Sequence, residues 1–217
     1  MKKYMYDGMV CRRDTLDEYI VREVRGCYRH LSLRKRDVVL DVGANIGAFC
    51  AHVADSVHSV IGYEPDPENY KLCCTNTQKM DNVVVHNQAV ISTWAKHCTL
   101  FINDMKNKGS HSIMPVRGRS YTDVSSVNFG YVLSSVKPTV VKMDVEGAEY
   151  DLILSCSFPG SVREIAIEFH LQKTAQRRQL PAVRAHLNAQ GFVEKVPFTW
   201  KETTWHKVAF YQRKTPE

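Results

Sequence analysis

Several absences narrow the reading of this 217-residue sequence before any motif does. No stretch approaches the roughly 18 consecutive apolar residues of a membrane-crossing helix, so no membrane partner is expected. No apolar segment follows Lys2-Lys3, so a secretory leader is not expected either. Repeats, low-complexity tracts and flexible linkers are lacking, which leaves a domain boundary nowhere to fall. Cys11, Cys27, Cys50, Cys73, Cys74, Cys98 and Cys156 are odd in number and hold no C-x-x-C pair, which argues against a disulfide framework or a structural zinc. They read as small buried apolar side chains in a reducing, cytoplasmic setting. A strong charge of one sign is missing too: 29 Lys and Arg against 23 Asp and Glu leave a formal +6. Its basic groups, Lys2-Lys3, Arg12-Arg13, Arg34-Lys35-Arg36 and Arg177-Arg178, read as solvated loops and helix ends, and neither demand nor forbid an anionic partner.

The 44% apolar content falls into two periods. Residues 1–36 are expected to form an N-terminal hairpin and helix packed on a core, and residues 37–217 the core itself, all within one domain. Asp7-Gly8 supplies the turn, and Asp14 or Thr15 a cap for a helix carrying Leu16, Ile20, Val24, Tyr28 and Leu31. From residue 37, apolar strands at 38–40, 60–63, 83–85, 99–102, 140–144 and 164–170 alternate with helices. The helices are expected at 46–54, after Asp66-Pro67-Glu68, at 148–155, and at 180–190 with Pro181 near the start. Segments 192–197 and 206–212 can pair as an antiparallel hairpin. The polar stretch 103–120 reads as a long loop, of the kind that is functional or disordered. Strand–helix alternation predicts an α/β, doubly wound, mostly parallel sheet that binds ligands at the carboxyl ends of its strands.

The sharpest local signal is Asp41-Val42-Gly43-Ala44-Asn45-Ile46-Gly47, after one strand and at the mouth of a helix. Glycines permit a tight turn and close approach of a ligand, and the helix start offers free N–H groups. Glu64 closes the next strand about 20 residues on, where a carboxylate accepts both ribose hydroxyls of an adenosine. A dinucleotide turn would read G-x-G-x-x-G, whereas this one reads D-x-G-x-x-x-G. Asp41 would repel a pyrophosphate and suits the ammonium of a methionine end. The predicted cofactor is therefore S-adenosylmethionine, held by Asp41, Gly43, Ala44, Asn45, Gly47, Glu64 and Pro65. Gln88 and Ala89 are placed near the adenine.

The second signal is Lys142-Met143-Asp144-Val145-Glu146-Gly147-Ala148-Glu149. On an extended strand Lys142, Asp144 and Glu146 share a face, and charges at the end of an apolar strand are costly unless paired or in use. They form either an ion-pair network capping the next helix or a reaction centre. In the second case Asp144 lies beside the methionine end, with Lys142 or Glu146 steering the acceptor. Glu168 and His170 share a face of the following strand and stand as an active-site wall or a satisfied pair.

In these stretches the chain resembles the FkbM-type methyltransferases, through 38–47, Tyr63-Glu64-Pro65, 141–149 and Glu168-Phe169-His170. The resemblance implies a Rossmann-like fold with a seven-stranded sheet ending in an antiparallel hairpin. It also implies O-methylation of a hydroxyl on a sugar or small metabolite. Catalytic candidates are Asp144 first, then Lys142, Glu146, Glu168 and His170. The expected partner is a small-molecule or glycan acceptor with a free hydroxyl. A 2′-O-methyltransferase of RNA or cap is the alternative reading. No metal is assigned, although magnesium on Asp144, Glu146 and Glu168 stands as a variant.

Overall fold

A computed structural model of the chain describes residues 2–103, 106–197, 199 and 206–214. Strands β1 (Lys3–Tyr6) and β2 (Met9–Arg12) form a hairpin, and helix α1 (Asp17–Cys27) follows. Next come β3 (Val38–Val42), α2 (Ala48–Ala54), β4 (Ser59–Tyr63), α3 (Pro67–Thr77) and β5 (Val83–His86). A small unit of β6 (Ala89–Ile91), β7 (His97–Ile102) and β8 (Ser120–Asn128) leads into α4 (Phe129–Val136). The chain then runs through β9 (Val140–Met143), α5 (Glu149–Leu154), β10 (Glu164–His170), α6 (Thr174–Ala189), β11 (Phe192–Glu194) and β12 (His206–Arg213).

Seven strands make the main sheet, in the order β11-β12-β10-β9-β3-β4-β5. The four inner pairings, from β10 through β9, β3 and β4 to β5, are parallel, while β12 is antiparallel to both β10 and β11. This is the doubly wound sheet with a C-terminal antiparallel hairpin that the alternation predicts. The central strands read as plain apolar runs because both faces are covered. On one face Phe129, Leu133, Tyr150, Ile153, Leu180 and Leu187 pack from α4, α5 and α6. On the other, Val21, Val24, Phe49, Val53 and Leu72 pack from α1, α2 and α3. Each such side chain buried contributes about 2 kcal/mol from apolar surface alone.

Three local expectations are corrected. Helix α2 begins at Ala48 rather than residue 46, because Gly47 takes a left-handed conformation (φ 86°) at its start. Helix α1 has Leu16, not Asp14 or Thr15, at its N-cap, although the Thr15 hydroxyl accepts the Asp17 N–H at 3.2 Å. Helix α6 starts six residues before position 180 and carries Pro181 in its interior. An interior proline costs about 3 kcal/mol. The burial of Leu180, Val183 and Leu187 outweighs that cost, and the Gln176 side chain accepts the Lys173 N–H at 3.0 Å to cap the earlier start. The small sheet is ordered β6-β8-β7; its β7 matches the apolar run 99–102, while β6, β8 and α4 lie where no clear sequence period shows. Most of β8 is exposed, so its alternation is faint.

The N-terminal hairpin is tied to the rest by a buried polar cluster. Arg12 pairs with Asp17 at 2.9 Å and donates to the Asn69 side-chain oxygen at 2.7 Å. The Asn69 amide in turn donates to the Lys108 carbonyl at 3.0 Å, and the Leu16 N–H to the Lys106 carbonyl at 3.1 Å. Of the stretch 103–120 read as a loop, residues 104 and 105 lie outside the described residues, Ser120 opens β8, and Lys106 and Lys108 are held by these bonds to the start of α1 and to α3.

Candidate active site

The turn after β3 is built by close approach. Gly43 has φ 87°, and a Cβ on it would sit 1.8 Å from the Asp144 carbonyl oxygen. Only glycine therefore lets the ends of β3 and β9 meet here. The N–H groups of Gly43 and Ala44 both donate to the Tyr63 carbonyl, at 3.0 and 2.9 Å, which binds this turn to the end of β4. Asn45 is also left-handed, at φ 52°. Its N–H donates to Glu64 Oε2 at 2.8 Å, and the Asp66 N–H donates to Oε1 at 2.9 Å. Burial pushes the Glu64 carboxyl up to about 7, against the pull of those two N–H bonds. Asn87 supports the same corner by donating to the carbonyls of Glu64 and Pro65, at 2.8 and 3.0 Å.

A cleft opens above this turn, with about 560 Å³ of empty space counted out to open solvent. Gly43, Asn45, Glu64, Pro65, Ala89 and Asp144 line it. Val90, Leu100 and Ile113 give it an apolar wall, and His111 a polar one. His111 accepts the Asn103 N–H on Nδ1 at 2.9 Å, and burial holds its pKa down.

Other residues of the motif stand behind the cleft. Ala44 faces Gly62, and Gly47 packs on Cys73, where a Cβ would come within 2.8 Å of the sulfur. Asp41 is fully buried and pairs with Lys142 Nζ at 3.0 Å, while Cys50 donates to its other oxygen at 3.2 Å. Lys142 also donates to the Gly43 carbonyl at 2.7 Å and lies over the rings of Tyr28 and Phe49. Burial lowers the lysine pKa, but the Asp41 and Asp144 carboxylates raise it further, so the ammonium stays charged. The expectation that Lys142 steers an acceptor and Asp41 meets an ammonium thus changes: each satisfies the other beneath the turn. Gln88 does not line the cleft; its N–H bonds the His86 carbonyl, and Ala89 and Val90 form that wall.

A second, more open cavity of about 1130 Å³ adjoins the first, sharing Asn45, Gly109, Asp144 and Glu146 with it. Leu16, Tyr19 and Tyr28 line one side, and Glu168 and His170 the other. Glu146 adopts φ 52° ahead of Gly147 at φ 105°, and its carbonyl accepts the Ser112 hydroxyl at 2.7 Å. His170 Nε2 lies 3.3 Å from Glu146 and 4.0 Å from Asp144, and its Nδ1 lies 3.4 Å from Glu149. Burial lowers the His170 pKa, and Glu146 and Glu149 more than reverse this, leaving it well above the ordinary histidine value. Glu168 is paired with His206, and burial together with Asp144 raises its pKa. The structure therefore gathers Asp144, Glu146, Glu168 and His170 at one cavity and places Lys142 elsewhere. Sequence reasoning missed Asn69, Asn87, His111 and Ser112, for which no local motif gives a signal.

The model of the methyltransferase FkbM domain matches residues 41–194. The chain is 24% identical over 135 residues to the hexuronic acid methyltransferase AglP of Haloferax volcanii, covering 62% of this chain and 56% of that protein. It thus spans little more than half the length of that curated relative. In fold it is similar to precorrin-6y C5,15-methyltransferase from Geobacter metallireducens, with a TM-score of 0.52 and 12% identity over 94% of this chain and 93% of that one. An rRNA methylase from Streptococcus thermophilus superposes with a TM-score of 0.50 and 7% identity, over 94% of this chain and all of the other (100%). With the glycine turn, the acidic end of β4 and the acidic turn after β9 assembled on one sheet edge, and the family model spanning most of the chain, this protein belongs to the FkbM methyltransferase family.

Proposed function

We propose that this methyltransferase uses S-adenosylmethionine to methylate a hydroxyl of a sugar or small metabolite. One observation carries the reading: Asp144 forms part of the wall of both cavities, so a donor in the first and an acceptor in the second meet at its carboxylate. The residues fit the donor. Glu64, with each oxygen taking one backbone N–H, keeps lone pairs for two ribose hydroxyls. The cradle at Gly43 leaves no room for a side chain between the turn and Asp144, and the apolar Val90, Leu100 and Ile113 suit a purine face. When bound, S-adenosylmethionine supplies an electrophilic methyl on a good leaving group.

The chain's task is then positioning and proton handling. Asp144 is placed to hold the acceptor hydroxyl and take its proton. His170, charged between Glu146 and Glu149, orients the Glu146 carboxylate rather than serving as the free base. Glu168, engaged by His206, shapes the far wall. The sugar reading is supported by the likeness to AglP, a hexuronic acid methyltransferase by name. The acidic lining of the second cavity, Glu23, Asp144, Glu146 and Glu168 beside Arg119, is a poor host for a polyphosphate chain, which weighs against RNA.

Calorimetric titration with S-adenosylmethionine and, separately, NAD tests the donor. Micromolar binding of the first alone is the expected result, and binding of NAD alone would overturn the proposal. Neutral glycosides and RNA are then compared as acceptors by transfer of a labelled methyl group.

A further inference from the structure

We infer that Asp144, Glu146 and His170 form a binding site for one divalent cation on the wall of the second cavity. One donor atom from each lies within 4.8 Å of the others. His170 Nε2 is 3.3 Å from Glu146 and 4.0 Å from Asp144. A charge-assisted hydrogen bond from an imidazolium would be shorter, about 2.8 Å. Donors sharing one ion at bond lengths near 2.1 Å stand roughly 3 Å apart when adjacent and about 4.2 Å when opposite, which brackets both separations.

The second observation is the histidine itself. His170 is only 5% exposed, and its buried Nδ1 has no hydrogen-bond partner of normal geometry. The fully buried Glu149 carboxylate waits 3.4 Å from that Nδ1 and is itself fixed by the N–H groups of Gly147 and His170, at 2.8 and 2.7 Å. A carboxylate behind one imidazole nitrogen places the proton there and frees the other nitrogen as a ligand. Ion binding displaces the Nε2 proton, so that the lone pair meets the ion between the two carboxylates. The remaining positions of the ion open to the second cavity, where hydroxyl or water oxygens complete its shell.

Two carboxylates with one imidazole suit manganese or a neighbouring first-row ion better than calcium, which prefers oxygen throughout. Glu168, the third oxygen ligand of the sequence-based magnesium variant, is instead engaged by His206. The site is independent of the acceptor's identity.

The experiment is titration of the purified chain with Mn²⁺, followed by electron paramagnetic resonance. Manganese is preferred to zinc as the probe because the seven free cysteines would compete for the softer ion. One site of micromolar affinity is expected, weakened about tenfold or more in His170→Ala and in Asp144→Asn. If His170→Ala does not fold, the near-isosteric Glu146→Gln carries the same expectation. S-adenosylhomocysteine binding is measured on the same samples, so that loss of the donor site is told apart from loss of the cation site. No Mn²⁺ binding by a chain that binds S-adenosylhomocysteine would overturn the inference and leave the methyltransferase reading standing. Unchanged Mn²⁺ affinity in the folded variants would overturn it equally.

Discussion

Single side chains in this molecule carry charge that the fold has to justify. Glu64 is the clearest case, with its carboxyl raised from 4.5 to about 7 by burial. Because the folded value lies above the unfolded one, the unliganded protein loses stability as pH climbs from 4.5 to about 7, by roughly 3 kcal/mol. Ribose hydroxyls bond best to the ionised form, so affinity for an adenosyl ligand should rise through pH 7. Calorimetry at pH 6 and pH 8 checks this, and Glu64→Gln should bind more weakly and lose the pH dependence. Beneath the turn, Lys142→Met would strand the buried Asp41 carboxylate, at a cost of about 3–5 kcal/mol in denaturant unfolding. Adding Asp41→Asn should recover part of that loss. If the single variant proved as stable as wild type, the pair would not be holding the Gly43 carbonyl.

At the scale of elements, the turn between β3 and α2 depends on how closely it meets the end of β9. Gly43→Ala brings a methyl onto the Asp144 carbonyl at a left-handed position. It should destabilise by about 2–4 kcal/mol and abolish adenosyl binding, as thermal melts and calorimetry would show. The sequence made β3, β4, β9 and β10 legible because strands buried on both faces read as unbroken apolar runs. Glu64 and Asp144 were legible for a related reason: a charged residue closing such a run must be paired or at work. Of the small sheet only β7 was, through the apolar run 99–102, since β8 buries only Val124 and Ser126 and shows almost no alternation. Nor was the role of Lys142. Strand periodicity puts it on the face of Asp144, but only the tertiary contact with Asp41 and Gly43 shows where its ammonium goes. His111 and Ser112 were hidden for the same reason, lying in a polar stretch whose partners are distant in sequence.

Across the whole molecule, a formal +6 charge contrasts with the acidic lining of the second cavity, the proposed acceptor site. Turnover of a neutral glycoside should therefore change little between low and moderate salt, where surface charges are screened within about 10 Å. A steep fall in activity on RNA over the same range would favour the nucleic-acid reading instead. Among the described residues no helix is long and apolar enough to cross a membrane. The Arg12–Asn69–Lys108 chain of hydrogen bonds has a wider reach than its size suggests. It joins the N-terminal hairpin to the segment whose Gly109, His111 and Ile113 line the first cleft. With the proposed donor bound there, its release and the fraying of β1 and β2 should be linked equilibria. Occupancy of that cleft should then be readable, by slowed amide hydrogen exchange, in the first dozen residues of the chain.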